Sequence, residues 1–265
     1  MGWLYMLGAI IGDIVGSRFE RNNNKSKHFE FFNDKCVFTD DTVMSLAIAK
    51  ALLNTRNDYS DLGYLSIKYM REMARKYPNA GYGMRFIQWM LFDNPKPYNS
   101  FGNGAAMRVS SVGFFANSLE ETILLSKIVT EVTHNHPEGI KGAEATAVAV
   151  FLAKSGYSIP EIRDHIDKHY YKLDFKLDDI RESYKINVTC QGTVPQAITA
   201  FLESTSFEDA IRNAISIGGD SDTIAAITGG IAEAYYGIPS KIREQALKYL
   251  DETLLTILID FENKY

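Results

Sequence analysis

The chain has 265 residues, of which 46% are hydrophobic and 23% charged, as in ordinary soluble globular proteins. A net charge of -5 argues against nucleic-acid binding by bulk electrostatics but does not exclude a nucleotide-like ligand in a local pocket. The two cysteines, Cys36 and Cys190, cannot form a structural zinc site alone and favour a reducing compartment. We therefore expect a cytoplasmic protein with one domain, residues 1–265, and nothing in the sequence requires more than a monomer.

The first residues, MGWLYMLGAIIGDIVGSRFE, are apolar but short. Asp13 interrupts them and no basic run precedes them, so we expect neither a secretory signal nor a membrane helix. Small residues at Gly8, Gly12 and Gly16 allow close helix packing or a tight approach of the backbone. In the purely structural interpretation, Asp13 lies in a core helix and bonds to a neighbouring backbone group.

Helical patterns dominate the rest of the chain. Apolar residues at steps of three or four, together with capping signals, predict many short helices. Segment 27–38 could be extended, but one such segment makes no sheet. We therefore predict an all-α fold, a single compact orthogonal multi-helix bundle. The helices are predicted over residues 39–53, 58–77, 118–134, 137–156, 158–171, 193–205, 206–219, 223–235 and 239–261.

Two acidic motifs precede apolar helices. FTDDT (38–42) and GGDSDT (218–223) each place two carboxylates beside hydroxyl side chains. Adjacent, partly buried acids repel each other, and a helix N-terminus offsets only about 0.3–1 kcal/mol per charge. Divalent cations such as Mg²⁺, Mn²⁺ or Ca²⁺ prefer these oxygens as ligands. Ordinary helix caps explain the first motif about equally well, but they do not explain the second acid of GGDSDT. Taken together, the motifs favour a metal site.

Two further segments have ligand-binding character. NSFGNGAAMRV (99–109) is a Gly/Asn loop followed by a cation, Arg108, and its backbone N–H groups can cradle phosphate. A plain turn between helices is the alternative. In THNHPEG (133–139), His134 and His136 precede a helix that starts with Pro. They lack a third soft ligand for zinc, so hydrogen bonding, stacking or simple capping is expected there.

These motifs, in this order and nearly end to end, resemble the ADP-ribosylglycohydrolase family. GAIIGDIVGS, FTDDT, YGMRFIQW, SFGNGAAMRVSSVG, THNHPEGIKGAEA and AISIGGDSDTIAAITGGIAEAYYGIP carry the resemblance. It implies an all-α fold with two Mg²⁺ or Mn²⁺ ions. The implied metal ligands are Thr39, Asp40, Asp41, Asp220, Asp222 and Thr223. The implied ADP-ribose-binding residues are Gly83, Ser100, Phe101, Gly102, Asn103, Gly104 and His134.

The resemblance further implies hydrolysis of the C1″ ribosyl bond that joins ADP-ribose to a protein side chain of the arginine or serine type. Asp222 or Asp40 is expected to accept a proton from the attacking water, with Glu20 as the rival. Two alternatives stay open. One is hydrolysis of another conjugate, such as O-acetyl-ADP-ribose or ADP-ribosylated nucleic acid, and the other is a non-catalytic ADP-ribose-binding or structural member.

Overall fold

The computed structural model describes residues 6–264, and these residues form fourteen α-helices. Within this part of the chain there is no β-strand, and the single isolated bridge joins Gly102 to Thr189. The predicted all-α class is therefore confirmed. No helix among residues 6–264 is long and apolar enough to cross a membrane. The helices are α1 Leu7–Gly16, α2 Asp40–Asn54, α3 Leu62–Lys76, α4 Met84–Leu91, α5 Ser110–Phe115, α6 Leu119–Glu131, α7 Pro137–Lys154, α8 Ile159–His169, α9 Leu177–Ile180, α10 Cys190–Leu202, α11 Phe207–Ser216, α12 Ser221–Tyr236, α13 Ser240–Ala246 and α14 Glu252–Lys264.

Helix α12 lies at the centre of the molecule and packs against α1, α7, α10 and α11. Residues 221–233 of α12 are all buried, as are all ten residues of α1. A helix that is apolar nearly all round belongs inside a bundle, and both helices fulfil this expectation. Gly237, with φ of 71°, ends α12 in a conformation that favours glycine.

Helices α1 and α12 touch backbone to backbone. A Cβ atom on Gly12 would lie 1.9 Å from the carbonyl oxygen of Ala225, and one on Gly16 would lie 2.6 Å from the Cα of Asp222. Only glycine leaves room for this contact, which confirms the close packing predicted from the glycine spacing. The contact brings the C-terminal half of α1 against the first turn of α12, where the second acidic motif begins.

The predicted helix over residues 239–261 is wrong in one respect, because the segment breaks into α13, a 3₁₀ turn at Leu247–Tyr249, and α14. Leu250 is extended, and the Asp251 side chain then accepts a hydrogen bond of 3.0 Å from the backbone N–H of Leu254. Asp251 also accepts from the Tyr77 hydroxyl at 2.8 Å, a contact across the fold that no local pattern reveals. Helix α4 was likewise not predicted as a helix.

Candidate functional site

A cavity of about 430 Å³ opens where the N-terminal ends of α2, α4 and α12 meet the loop before α5. It is lined by every predicted site residue except Phe101. The Phe101 side chain is 41% exposed and packs on the ring of His136 at 5.2 Å. The lining residues are Glu20, Thr39, Asp40, Asp41, Met44, Ala80, Gly81, Tyr82, Gly83, Met84, Arg85, Phe86, Tyr98, Ser100, Gly102, Asn103, Gly104, Met107, Arg108, His134, Val188, Asp220, Asp222 and Thr223.

The first acidic motif forms the start of α2. Thr39 is the N-cap, and its hydroxyl oxygen accepts a hydrogen bond of 3.3 Å from the backbone N–H of Asp41. Asp40 and Asp41 occupy the first helical turn, where carboxylates are favoured by the helix dipole. Asp41 is buried, and its Oδ1 atom has no hydrogen-bond partner. Capping therefore accounts for Thr39 but leaves a buried carboxylate oxygen unsatisfied.

The second acidic motif follows a tight turn. Gly218 and Gly219 have φ of 68° and 79°, a region that favours glycine, and together they form a sharp turn. Asp220 is the N-cap of α12, and Asp222 lies in its first turn. Thr223 donates a hydrogen bond of 3.2 Å from its hydroxyl to Asp41 Oδ2, which joins the two acidic motifs directly.

Asp13 holds the first motif in place. Its Oδ2 atom accepts hydrogen bonds from the backbone N–H groups of Thr39 and Thr42 at 2.8 and 3.0 Å, and also from the Thr42 hydroxyl. Its Oδ1 atom accepts from the Thr39 hydroxyl at 2.7 Å. The interpretation of Asp13 as a core acid bonded to backbone is thus correct. The sequence did not show that its partners are the residues flanking Asp40 and Asp41.

The acids lie close enough to share cations. Asp13, Asp41 and Asp222 each offer an oxygen within 4.8 Å of the others, and so do Glu20, Asp220 and Asp222. Among residues 6–264, no Lys, Arg or His nitrogen lies within 4.0 Å of these carboxylates.

Burial, with repulsion from neighbouring acids, raises the pKa of Asp40 to about 7 and holds the pKa values of Asp41 and Asp222 well above their usual range. Carboxylates that repel each other, lack a cationic partner and include the unsatisfied Oδ1 atom of Asp41 fit a divalent cation bound through oxygen ligands.

The glycine loop, residues 100–104, lines the same cavity as the acids and is bonded to one of them. Asn103 is buried, and its side-chain amide donates hydrogen bonds to Asp220 Oδ2 at 2.6 Å and to the Thr193 hydroxyl at 3.2 Å. Its backbone N–H donates to the Val188 carbonyl at 2.8 Å. The side chain of Ser100 accepts from the Gly102 N–H at 3.1 Å. The ligand loop and the acidic cluster are therefore parts of one connected structure.

The loop at residues 81–83 borders the same cluster. A Cβ atom on Gly81, which has φ of 106°, would lie 3.3 Å from Asp40 Oδ1. Gly83 precedes α4, and nothing lies within 4 Å of the position that a Cβ atom would take there. His134 is buried on the far side, with its Nε2 atom 3.6 Å from the positions that Cβ atoms would take on Gly102 and Gly104.

Several lining residues are not among the predicted site residues. They are aromatic, apolar or basic side chains. Tyr82, Met84, Arg85, Phe86 and Met107 lie within motifs that carry the family resemblance, but no pattern marks them as ligand-binding. The lining residues that the sequence did not predict are Met44, Tyr82, Met84, Arg85, Phe86, Tyr98, Met107 and Val188.

The ADP-ribosylglycohydrolase family model matches residues 5–263. ADP-ribosylhydrolase ARH3 of Xenopus tropicalis is 27% identical over 93% of this chain and 91% of its own length. ARH3 of Homo sapiens is 25% identical over 88% of this chain and 84% of its own. ADP-ribosylarginine hydrolase Tri1 of Pseudomonas putida (strain GB-1) is 27% identical over 88% of this chain and 70% of its own.

A solved structure described as an ADP-ribosylglycohydrolase-related protein complex superposes with a TM-score of 0.70. It covers 97% of this chain and 95% of its own, at 21% sequence identity, and so supports the fold. Together with the match of the family model over nearly the whole length, this shows that the chain belongs to the ADP-ribosylglycohydrolase family.

Proposed function

We propose that this protein hydrolyses the C1″ ribosyl bond between ADP-ribose and a modified protein side chain of the arginine or serine type. One observation carries the proposal: the acidic cluster and the 100–104 loop line the same cavity and are joined by the hydrogen bond from Asn103 to Asp220. The names of the relatives, ADP-ribosylhydrolase and ADP-ribosylarginine hydrolase, support the same class of substrate.

We assign two Mg²⁺ or Mn²⁺ ions to the oxygen ligands of Thr39, Asp40, Asp41, Asp220, Asp222 and Thr223. Such ions supply Lewis-acid stabilisation and make water a better nucleophile at neutral pH. The unsatisfied Oδ1 atom of Asp41 supports this assignment. So does the finding that, among the residues described, no Lys, Arg or His nitrogen lies within 4.0 Å of these carboxylates.

The side chains of this chain then have separable tasks. The bond resembles a glycosidic one, so its transition state carries positive charge at C1″, which the surrounding carboxylates stabilise. Asp222 or Asp40 accepts the proton of the attacking water, and Glu20 is the rival for this role. Ser100 and Gly102 bind the diphosphate and His134 binds toward its adenosine end, which together position the reacting carbon. Phe101 lies outside the cavity wall, so we place it at the rim of the ligand site.

The test is a panel of conjugates incubated with the purified protein and Mg²⁺ or Mn²⁺, with released ADP-ribose measured by mass spectrometry. The panel contains peptides ADP-ribosylated on arginine or on serine, O-acetyl-ADP-ribose and ADP-ribosylated nucleic acid. We expect release from a peptide conjugate. Release only from the other conjugates would move the function to that class, and ADP-ribose binding without any turnover would indicate a non-catalytic member.

The double variant Asp220→Ala plus Asp222→Ala tests the acidic cluster. We expect it to lose activity, because it removes two of the proposed metal ligands. Asp93→Ala plus Asp260→Ala is a control with the same change in charge at exposed positions. Full ADP-ribose release by the first double variant would refute the role of the cluster.

We also propose that residues 1–265 act as one domain, as a monomer, in the cytoplasm. Both Cys36 and Cys190 are free, buried thiols, which supports a reducing compartment.

A further inference from the structure

Arg108 is a buried cation with no acidic partner among residues 6–264. It is 1% exposed, and among the residues described no carboxylate oxygen lies within 4.0 Å of its nitrogens. Its Nη2 atom donates a hydrogen bond of 2.7 Å to the Thr133 hydroxyl, while its Nε atom has no partner. Burying a guanidinium without an acidic partner is costly, which indicates that its hydrogen bond to Thr133 has a functional role.

A guanidinium can only donate hydrogen bonds, so the Thr133 oxygen accepts from Arg108. The Thr133 hydroxyl hydrogen is therefore donated to another acceptor. Two acceptors are in reach. His134 Nδ1 lies at 2.7 Å, and the carbonyl oxygen of Thr130 lies at 3.4 Å. The Thr130 carbonyl already accepts from the backbone N–H groups of Thr133 and His134, at 3.2 and 2.9 Å. The Thr133 hydroxyl therefore donates to His134 Nδ1.

An Nδ1 atom that accepts a hydrogen bond carries no proton, so the proton of the neutral ring is on Nε2. That edge of the ring faces residues 102–104, because Nε2 lies 3.6 Å from the positions that Cβ atoms would take on Gly102 and Gly104. Burial, with the charges of Arg108 and Arg85, holds the pKa of His134 well below its usual range, which agrees with a neutral ring.

We propose that Arg108 and Thr133 are positioning residues that fix His134 as a neutral hydrogen-bond donor, with its Nε2–H directed at an anionic ligand on the glycine loop. Thr133 does not line the cavity and acts only through the histidine. The identity of the anion, the diphosphate of ADP-ribose, rests on the proposed function. The tautomer of His134 does not depend on it, since the contacts that set it lie within the protein.

The experiment compares the wild-type protein with Thr133→Val, which removes the hydroxyl at nearly constant volume, and with Thr133→Ser, which keeps it. Histidine is labelled with ¹⁵N, and the signals of His134 are identified by their loss in His134→Asn. In the wild type and in Thr133→Ser we expect a bare Nδ1 and a protonated Nε2 at neutral pH. In Thr133→Val we expect the opposite tautomer to become populated.

ADP-ribose binding to the same proteins, measured by calorimetry, supplies a second result. We expect Thr133→Val to bind about tenfold more weakly, the usual loss for one hydrogen bond to a charged group, and Thr133→Ser to bind within about twofold of the wild type. A wild-type His134 protonated on Nδ1, or a folded Thr133→Val protein with an unchanged tautomer, would overturn the proposal. The wild-type result tests the proposal even if Thr133→Val does not fold. Wild-type protein that shows the expected tautomer but does not bind ADP-ribose would contradict the proposed function alone.

Discussion

The side-chain amide of Asn103 donates a 2.6 Å hydrogen bond to Asp220 Oδ2, and this bond ties the glycine loop to the acidic cluster. A donor to a carboxylate favours its charged form and fixes its orientation. The two halves of the site are therefore coupled: a ligand that moves the loop also moves a proposed metal ligand.

Replacing Asn103 with Leu, which has a similar size but no amide, should uncouple them. Removing a side chain that hydrogen-bonds a metal ligand typically lowers metal affinity about 10–100-fold, so we expect a loss in Mn²⁺ affinity of that order. Calorimetric titration with Mn²⁺ measures it. Asn94→Leu at an exposed position is the control, and equal Mn²⁺ affinity in both variants would contradict the coupling.

Divalent cations should stabilise the fold. A ligand that binds only the native state at 100 times its Kd adds about 2.7 kcal/mol, so the Tm should rise with Mg²⁺ or Mn²⁺ and fall back in EDTA. Asp222→Asn should lose this rise. In EDTA the same variant should be at least as stable as the wild type, because burial, together with repulsion from Asp220 and Asp13, holds the pKa of Asp222 well above its usual range and makes its charged form costly. Thermal unfolding with and without metal checks both signs. If the Tm of the wild type did not change when divalent cations were added, this would count against the metal site.

The contact between α1 and α12 makes Gly12 intolerant of any side chain. Gly12→Ala should lower the free energy of unfolding by about 3 kcal/mol, because the new methyl group meets the Ala225 backbone and one of the helices must shift. The control is Gly63→Ala in α3, where a Cβ atom would lie 3.8 Å from the side chains of Ile128 and Val132. That change should be neutral or stabilise by up to about 1 kcal/mol. Urea unfolding of both variants decides, and equal effects would contradict the packing argument.

Glu233 gives the fold a pH dependence of its own. The carboxyl group is buried, and burial raises its pKa to about 8, although its Oε2 atom accepts from the backbone N–H groups of Met6 and Gly8 at 2.9 and 2.7 Å. The native state thus keeps a proton that the unfolded chain releases near its ordinary pKa of 4.5. The stability that Glu233 contributes should therefore fall as the pH rises through this window, by up to about 1.4 kcal/mol per pH unit.

Urea unfolding between pH 5 and pH 8 measures this slope, which should correspond to about one proton released on unfolding. Glu233→Gln should remove it, since the amide oxygen can accept the same two backbone hydrogen bonds without titrating. If the free energy of unfolding changed with pH in the same way in the wild type and in Glu233→Gln, Glu233 would not titrate in this range.

Local patterns were sufficient for most helices. The predicted cavity residues rest largely on the family resemblance, and several lining residues, such as Tyr98 and Val188, were not predicted. The two acidic motifs were paired correctly because uncompensated carboxylates before an apolar helix are rare enough to be informative. The break between α13 and α14 was missed, although Asp251 both accepts from the backbone N–H of Leu254 and is held by the Tyr77 hydroxyl from another part of the chain. A period of 3.6 residues continues through such a break and does not reveal it.

The supporting contacts of the site had no local signal. Asp13 bonds to Thr39 and Thr42, and Arg108 reaches His134 through Thr133, so each partner is separated by 25 residues or more. A single acid in an apolar segment indicates that something satisfies it but does not say what.

The N–H group of Gly8 and the carboxyl group of Glu233 meet across 225 residues of chain. Contacts at this separation carry a large loop-closure entropy and form late, after local helices. During synthesis, the face of α1 that packs on α12 therefore stays uncovered until α12 has been made. The cavity has no complete wall before that moment, so a nascent or truncated chain that ends before α12 carries the first acidic motif but not the site.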